Sequence, residues 1–137
     1  AALAMQDLVA GRVDLMFDNL ASSLVQVRVG RIKALAVTTA RRSGLAPELP
    51  TLAEAGLPGF DISTWFGIFA PAGTPPPVVD ALHAYFTRAL ARPEIRERVL
   101  ALGAEPVGSS PAKFAAFVRA EASKYARLVK ASGAKVD

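Results

Sequence analysis

The sequence contains no cysteine, so disulfides, thiolate metal sites and cysteine nucleophiles are all excluded. It contains one histidine, His83, which argues against a histidine-based zinc site or a catalytic dyad. Tryptophan is equally scarce, with Trp65 alone. No apolar run approaches the ~18 residues that span a bilayer. The longest, 32–38 and 62–70, have the length of strands. No basic segment followed by an apolar core opens the chain, so no secretion signal is visible. A glycine-rich phosphate loop, a Gly-x-Ser-x-Gly elbow and a carboxylate pair with a partner base are also missing. These absences support no enzyme, no metal site and no cofactor.

What is present describes a folded chain. Its 137 residues fit one domain, with 52% hydrophobic and 20% charged residues. The net charge of +4 is spread along the chain, and only Arg41-Arg42 and Arg96-Glu97-Arg98 form clusters. Neither cluster is interleaved with aromatics, so a nucleic-acid groove is not indicated. The basic balance reads as solvated surface with some attraction for small anions.

In chain order, residues 1–10 read as a helix stopped by Gly11, and because it starts at once a longer parent chain is expected. Residues 13–17 (VDLMF) read as a strand, 20–29 as a helix closed by Gly30, and 32–38 (IKALAVT) as a second strand. That order is the α/β pattern of parallel strands joined by crossovers. Residues 39–50 are a loop; Thr51 then opens a short helical turn with Glu54 placed as in a capping box. After the proline run 75–77 the chain is helical: 77–91, then from Pro93 to Gly103, then 111–131 behind a Ser110 cap. Residues 104–107 suit a brief edge strand. Asp14 is expected on the solvent side of its strand or paired with a base such as Arg12.

Ligands of open parallel sheets sit beyond the carboxyl ends of the strands. Two such ends are polar here: Asp18-Asn19 and Thr38-Thr39. Asp18 can accept from a ligand ammonium or hydroxyl, and the amides opening the helix at Leu20 can hold a carboxylate. Asp18 or Asn19 can equally serve as a helix cap, and the two roles are compatible. Trp65 and Phe66 suit either an apolar cleft wall or a core. His83, beside the stripe of its helix, reads as structural.

The runs VDLMFDN, LPTLAEAGLPGF, TWFGIFAPAGTP and LGAEP, in that order, resemble the C-terminal half of the Bug/TctC family. These are the extracytoplasmic solute-binding proteins of tripartite tricarboxylate transporters. The resemblance covers essentially the whole chain. It implies a partial α/β fold of the type II periplasmic-binding-protein kind, holding most of the second lobe and the C-terminal part of the first. Residues 1–61 would belong to the second lobe, 62–75 would be a hinge crossing, and 76–137 would be the helical part of the first lobe. Carried over by position, Asp18 and Asn19 lie at the cleft edge of the second lobe and Ser63, Thr64, Trp65 and Phe66 line the hinge side. With Thr38 from its strand end, the expected ligand contacts are Asp18, Asn19, Thr38, Thr64, Trp65 and Phe66. The implied function is periplasmic binding of a small organic carboxylate (a di- or tricarboxylate, acidic amino acid or aromatic acid) for delivery to membrane transporter subunits, without turnover or nucleic acid. The alternative is the effector-sensing domain of a transcription regulator with the same two-lobed fold; a helix-turn-helix upstream would decide for it. Lacking the family's first-lobe strands, the chain is expected to be a fragment that self-associates.

Overall fold

A computed structural model describes residues 2–134, and these divide into two compact units. The first holds the residues up to Ile68 together with Arg96–Glu105, and the second holds Phe69–Ile95 and the residues from Pro106 on.

Every helix anticipated from periodicity is present. They are α1 (Ala2–Val9), α2 (Leu20–Arg28), α3 (Pro76–Ala91), α4 (Pro93–Ala101) and α5 (Pro111–Ser132). The position expected for Ala1 at the start of α1 lies outside the described residues. The ends follow local chemistry. Gly11, Gly30, Gly103 and Gly133 stop four of the helices with φ between 65° and 73°, a region that glycine enters without a Cβ penalty. Ser110 caps α5 by accepting from the Lys113 amide, and Pro111 takes the first helical position.

The strands differ from expectation. Among the described residues only Val37 and Thr51 form a bridge, a parallel one. Val37 N–H donates to the Pro50 carbonyl and Leu52 N–H to the Val37 carbonyl, each at 2.9 Å. Residues 13–17, 62–70 and 104–107 lie in no ladder. The reason is pairing, not propensity: a strand exists only when a neighbour takes its backbone bonds. Residues 32–36 still alternate in burial as an extended segment does, with Leu35 59% exposed between half-buried Ala34 and Ala36, and the pattern breaks at Val37, which the bridge buries. Asp14 is exposed, while Arg12 pairs with Asp7 at 3.2 Å across the end of α1.

The first unit is organised around the 39–50 loop, which three carboxylates hold from separate parts of the sequence. Asp61 accepts from the Ala40 amide at 3.1 Å. Glu54 accepts from Arg42 Nε at 2.9 Å, and Glu105 accepts from Ser43 Oγ at 3.1 Å and the Gly44 amide at 3.2 Å. The most buried residues of the unit are Ala46, within the loop, and Val37 and Thr51, which flank it in sequence. Thr51 and Glu54 form the reciprocal capping box, but the turn it opens does not extend into a helix. Gly56, at φ 112°, ends it, and the Leu57 N–H that comes next bonds back to the Leu52 carbonyl.

In the second unit α3 packs on α5. Phe69 meets Phe114 at a centroid distance of 5.3 Å, and Phe114 meets Phe117 at 6.4 Å. Glu121 is buried and pairs with Lys124 one turn on. His83 is half-buried in α3, with Nε2 shut away from water. The apolar stripes of both helices are covered only in part, since Val78, Leu82, Phe86, Phe117 and Leu128 all remain exposed.

The chain exposes 10477 Å², whereas a folded protein of its mass exposes about 6,800 Å². Leu15, Phe17, Phe66, Ile68 and Phe69 are among the large apolar residues standing in that surface. Apolar surface on that scale drives association. The isolated chain should therefore sediment as concentration-dependent oligomers and bind an apolar dye strongly. A monodisperse monomer in the ultracentrifuge across a hundredfold range of concentration would refute this.

Candidate functional site

Of the four polar residues expected to converge beyond 13–17 and 32–38, Asp18, Asn19 and Thr38 come together in the first unit, whereas the Thr39 hydroxyl turns into its own loop and donates to the Arg41 carbonyl at 2.6 Å. Asn19 stands at the N-cap position of α2 with extended backbone, φ −68° and ψ 135°. Its side chain does not cap the helix. Asn19 Oδ1 instead accepts from Thr64 Oγ1 at 3.0 Å, across 45 residues of sequence. A second bond, from the Ile62 amide to the Thr38 carbonyl at 2.9 Å, brings Thr38 to the same segment. Asn19, Thr38 and Thr64 therefore share one edge.

Asp18 completes it. Its Oδ2 accepts from Ser22 Oγ at 2.6 Å and Ser23 Oγ at 3.1 Å, and Ser22 also donates to the Asn19 carbonyl. Partial burial acts to raise the Asp18 pKa, but the bonds from Ser22, the Asn19 amide and Ser23 together outweigh it and leave the carboxyl below its ordinary value. Asp18 is therefore a carboxylate at neutral pH. The two serines went unremarked in the sequence, where their spacing of four and five residues from Asp18 was the available signal.

Helix geometry leaves the first amides of α2 without intrahelical acceptors, and the Asn19 side chain does not cap them. An anion placed there meets aligned N–H groups and the positive end of the helix dipole. It also meets the Asp18 charge, so a ligand that fits the edge needs a donor group to present to Asp18. Trp65, next to Thr64, is half-buried; Phe66 is 85% exposed and stands in water. Among the described residues no group of three or more His, Cys, Asp or Glu could hold a metal ion.

Two further residues bear on the edge from behind. Gly103, at φ 73°, lies against Ala21 in the first turn of α2, so closely that a Cβ on Gly103 would overlap the Ala21 methyl. Glu105, two residues on, holds Ser43 and Gly44. Both fall in the LGAEP run, where sequence reading anticipated only a helix stop and an edge strand.

Comparison with known proteins gives a consistent picture. The family model for the tripartite tricarboxylate transporter family receptor matches residues 1–134. A protein encoded in the tcbD–tcbE intergenic region of Pseudomonas sp. strain P51 is 42% identical over 127 residues, covering 92% of this chain and 38% of that protein. Among solved structures, the periplasmic binding protein BugD matches with a TM-score of 0.75 and 40% identity, covering 96% of this chain and 45% of its own. MatC from Rhodopseudomonas palustris, solved with bound malate, matches with a TM-score of 0.72 and 40% identity, covering 92% and 44%. The chain thus spans less than half the length of each of these proteins.

Proposed function

Because the chain belongs to the tripartite tricarboxylate transporter receptor family and carries part of the periplasmic-binding-protein fold, we propose that it forms one side of a receptor for a small organic carboxylate. The receptor works outside the cytoplasm, captures its ligand without chemical turnover and presents it to membrane transporter subunits. In this reading residues 1–61 lie in the second lobe, 62–75 cross the hinge, and 76–137 belong to the first, apart from Arg96–Glu105, which group with the residues up to Ile68. Asp18, Asn19, Thr38, Thr64, Trp65 and Phe66 face the ligand.

The observation that carries the reading is the Asp18–Asn19 edge at the uncapped start of α2. One ligand carboxylate accepts from the first amides of α2. A hydroxyl or ammonium group of the same ligand donates to Asp18, which offsets the repulsion between two carboxylates. The malate held by MatC is a hydroxy-dicarboxylate of this kind. Lobe closure over the ligand would supply the state that the transporter recognises.

The test is calorimetry on the product of the whole reading frame. Malate should bind more tightly than succinate, which lacks the hydroxyl, by about 10-fold or more, since a hydrogen bond to a charged group contributes about 1.5–3 kcal/mol. Asp18→Asn should erase most of that preference. Equal affinity for the two acids, or no binding of either, refutes the assignment of Asp18.

A further inference from the structure

We propose that Glu105 is a positioning residue for the ligand edge, fixing the first turn of α2 and the turn after Thr38 from behind. The inference rests on the reading of Asp18 and Asn19 as ligand-facing, but its mechanics are separate from it.

Apolar packing does not hold α2 in place by itself. A groove of about 300 Å³ runs between α2 and the end of α4, lined by Leu24, Val25, Arg28, Leu45 and Leu100. Helices separated by unfilled space lose the contacts that would fix their spacing. At the end of the groove the returning segment touches α2 through Gly103 on Ala21. Only Ala104 separates that contact from Glu105, whose Oε1 takes both the Ser43 hydroxyl and the Gly44 amide. Ser43 Oγ in turn accepts from the Leu45 amide at 3.2 Å, so the turn is closed on itself and tied to Glu105. One carboxylate therefore sets two positions. It draws Gly103 onto Ala21, three residues after Asp18, and it fixes the loop that begins at Thr38 and Thr39.

The residues that flank this segment in sequence, Ile95 and Pro106, belong to the second unit. The clip thus sits where the chain has entered the first unit and is about to leave it. Loss of the clip lets the segment lift, and the first turn of α2 loses its backing.

The test compares Glu105→Ala, Glu105→Gln and the exposed control Glu97→Ala in amide hydrogen exchange without ligand, and then in malate titration. In Glu105→Ala the Gly44 amide and the Ser23 and Leu24 amides of α2 should exchange at least tenfold faster, with α5 unchanged. Malate should bind about tenfold more weakly. Glu105→Gln retains an acceptor oxygen and should restore both, whereas Glu97→Ala should change neither. Faster exchange at Gly44 with Ser23 and Leu24 unmoved overturns the proposal, as does failure of the glutamine to rescue. If Glu105→Ala does not fold, Ser43→Ala removes one of the two bonds, and unchanged exchange at Ser23 in that variant overturns it equally. A wild type that never binds malate while the exchange pattern holds defeats the ligand reading and leaves the coupling intact.

Discussion

Replacing Gly103 with alanine or valine should be the most damaging single substitution in the first unit. Two independent costs fall on the same atom. At φ 73° an L-residue pays roughly 1–2 kcal/mol for placing its Cβ near the carbonyl. That Cβ would also lie 2.8 Å from Ala21 Cα and 2.9 Å from Ala21 N, closer than real Cβ contacts. The obstruction is helix backbone, which cannot swing aside as the tip of a long side chain does. Overpacking of this kind costs about 1–3 kcal/mol. A total of about 3 kcal/mol should lower the melting temperature by roughly 10–20 °C for a unit of this size. Gly133 provides the control. It has nearly the same φ, 65°, with nothing within 4 Å of a built Cβ, so Gly133→Ala should show the conformational cost alone. Thermal melts of the two alanine variants decide the matter. Equal shifts would mean that Gly103 and Ala21 do not touch in solution.

The contrast between those two glycines shows what a sequence can and cannot disclose. Both were readable as helix stops, because a stop is local: an apolar period ends and a residue free to take positive φ follows. All five helices were legible from such local signals, four from a glycine stop and α3 from Pro93, as were the Ser110 cap and the Thr51–Glu54 box. Residues 13–17 and 62–70 were not, because their state depends on a neighbouring strand and not on their own composition. The site divides in the same way. Asp18 and Asn19 stood out as polar residues after an apolar run, and family resemblance pointed to Thr64. Nothing local announced that Asn19 would turn from its own helix to Thr64, or that Glu105 would reach Ser43 and Gly44 across about sixty residues. Long-range polar bonds leave no period behind. The Arg41-Arg42 loop, read as a mere interruption, proved to be the point on which Asp61, Glu54 and Glu105 converge.

That convergence makes Thr51 the second sensitive position. Thr51 is 2% exposed, and its hydroxyl accepts from the Glu54 amide at 3.1 Å while Glu54 Oε2 accepts from the Thr51 amide at 2.8 Å. Thr51→Val keeps the volume and removes the hydroxyl, leaving the Glu54 amide without its acceptor. Loss of a cap of this type costs about 1–2 kcal/mol, equivalent to a fall of roughly 5–10 °C in melting temperature. Thr51 is also the residue bridged to Val37, so the damage should spread to the one parallel contact of the unit. Acid should weaken the same box from its other side. The Thr51 amide, first, and then Arg42 hold the Glu54 carboxyl below its ordinary value in the folded chain. A depressed folded pKa means that the unfolded chain takes up the proton more readily. The stabilisation is therefore complete at neutral pH and disappears as the pH falls through the ordinary glutamate range toward the lower folded value. In Glu54→Gln that pH dependence should be absent, and melts recorded between pH 7 and pH 3 should converge with wild type at the acid end. A constant gap between the two proteins across that range would show that the charge on Glu54 has no part in holding the loop.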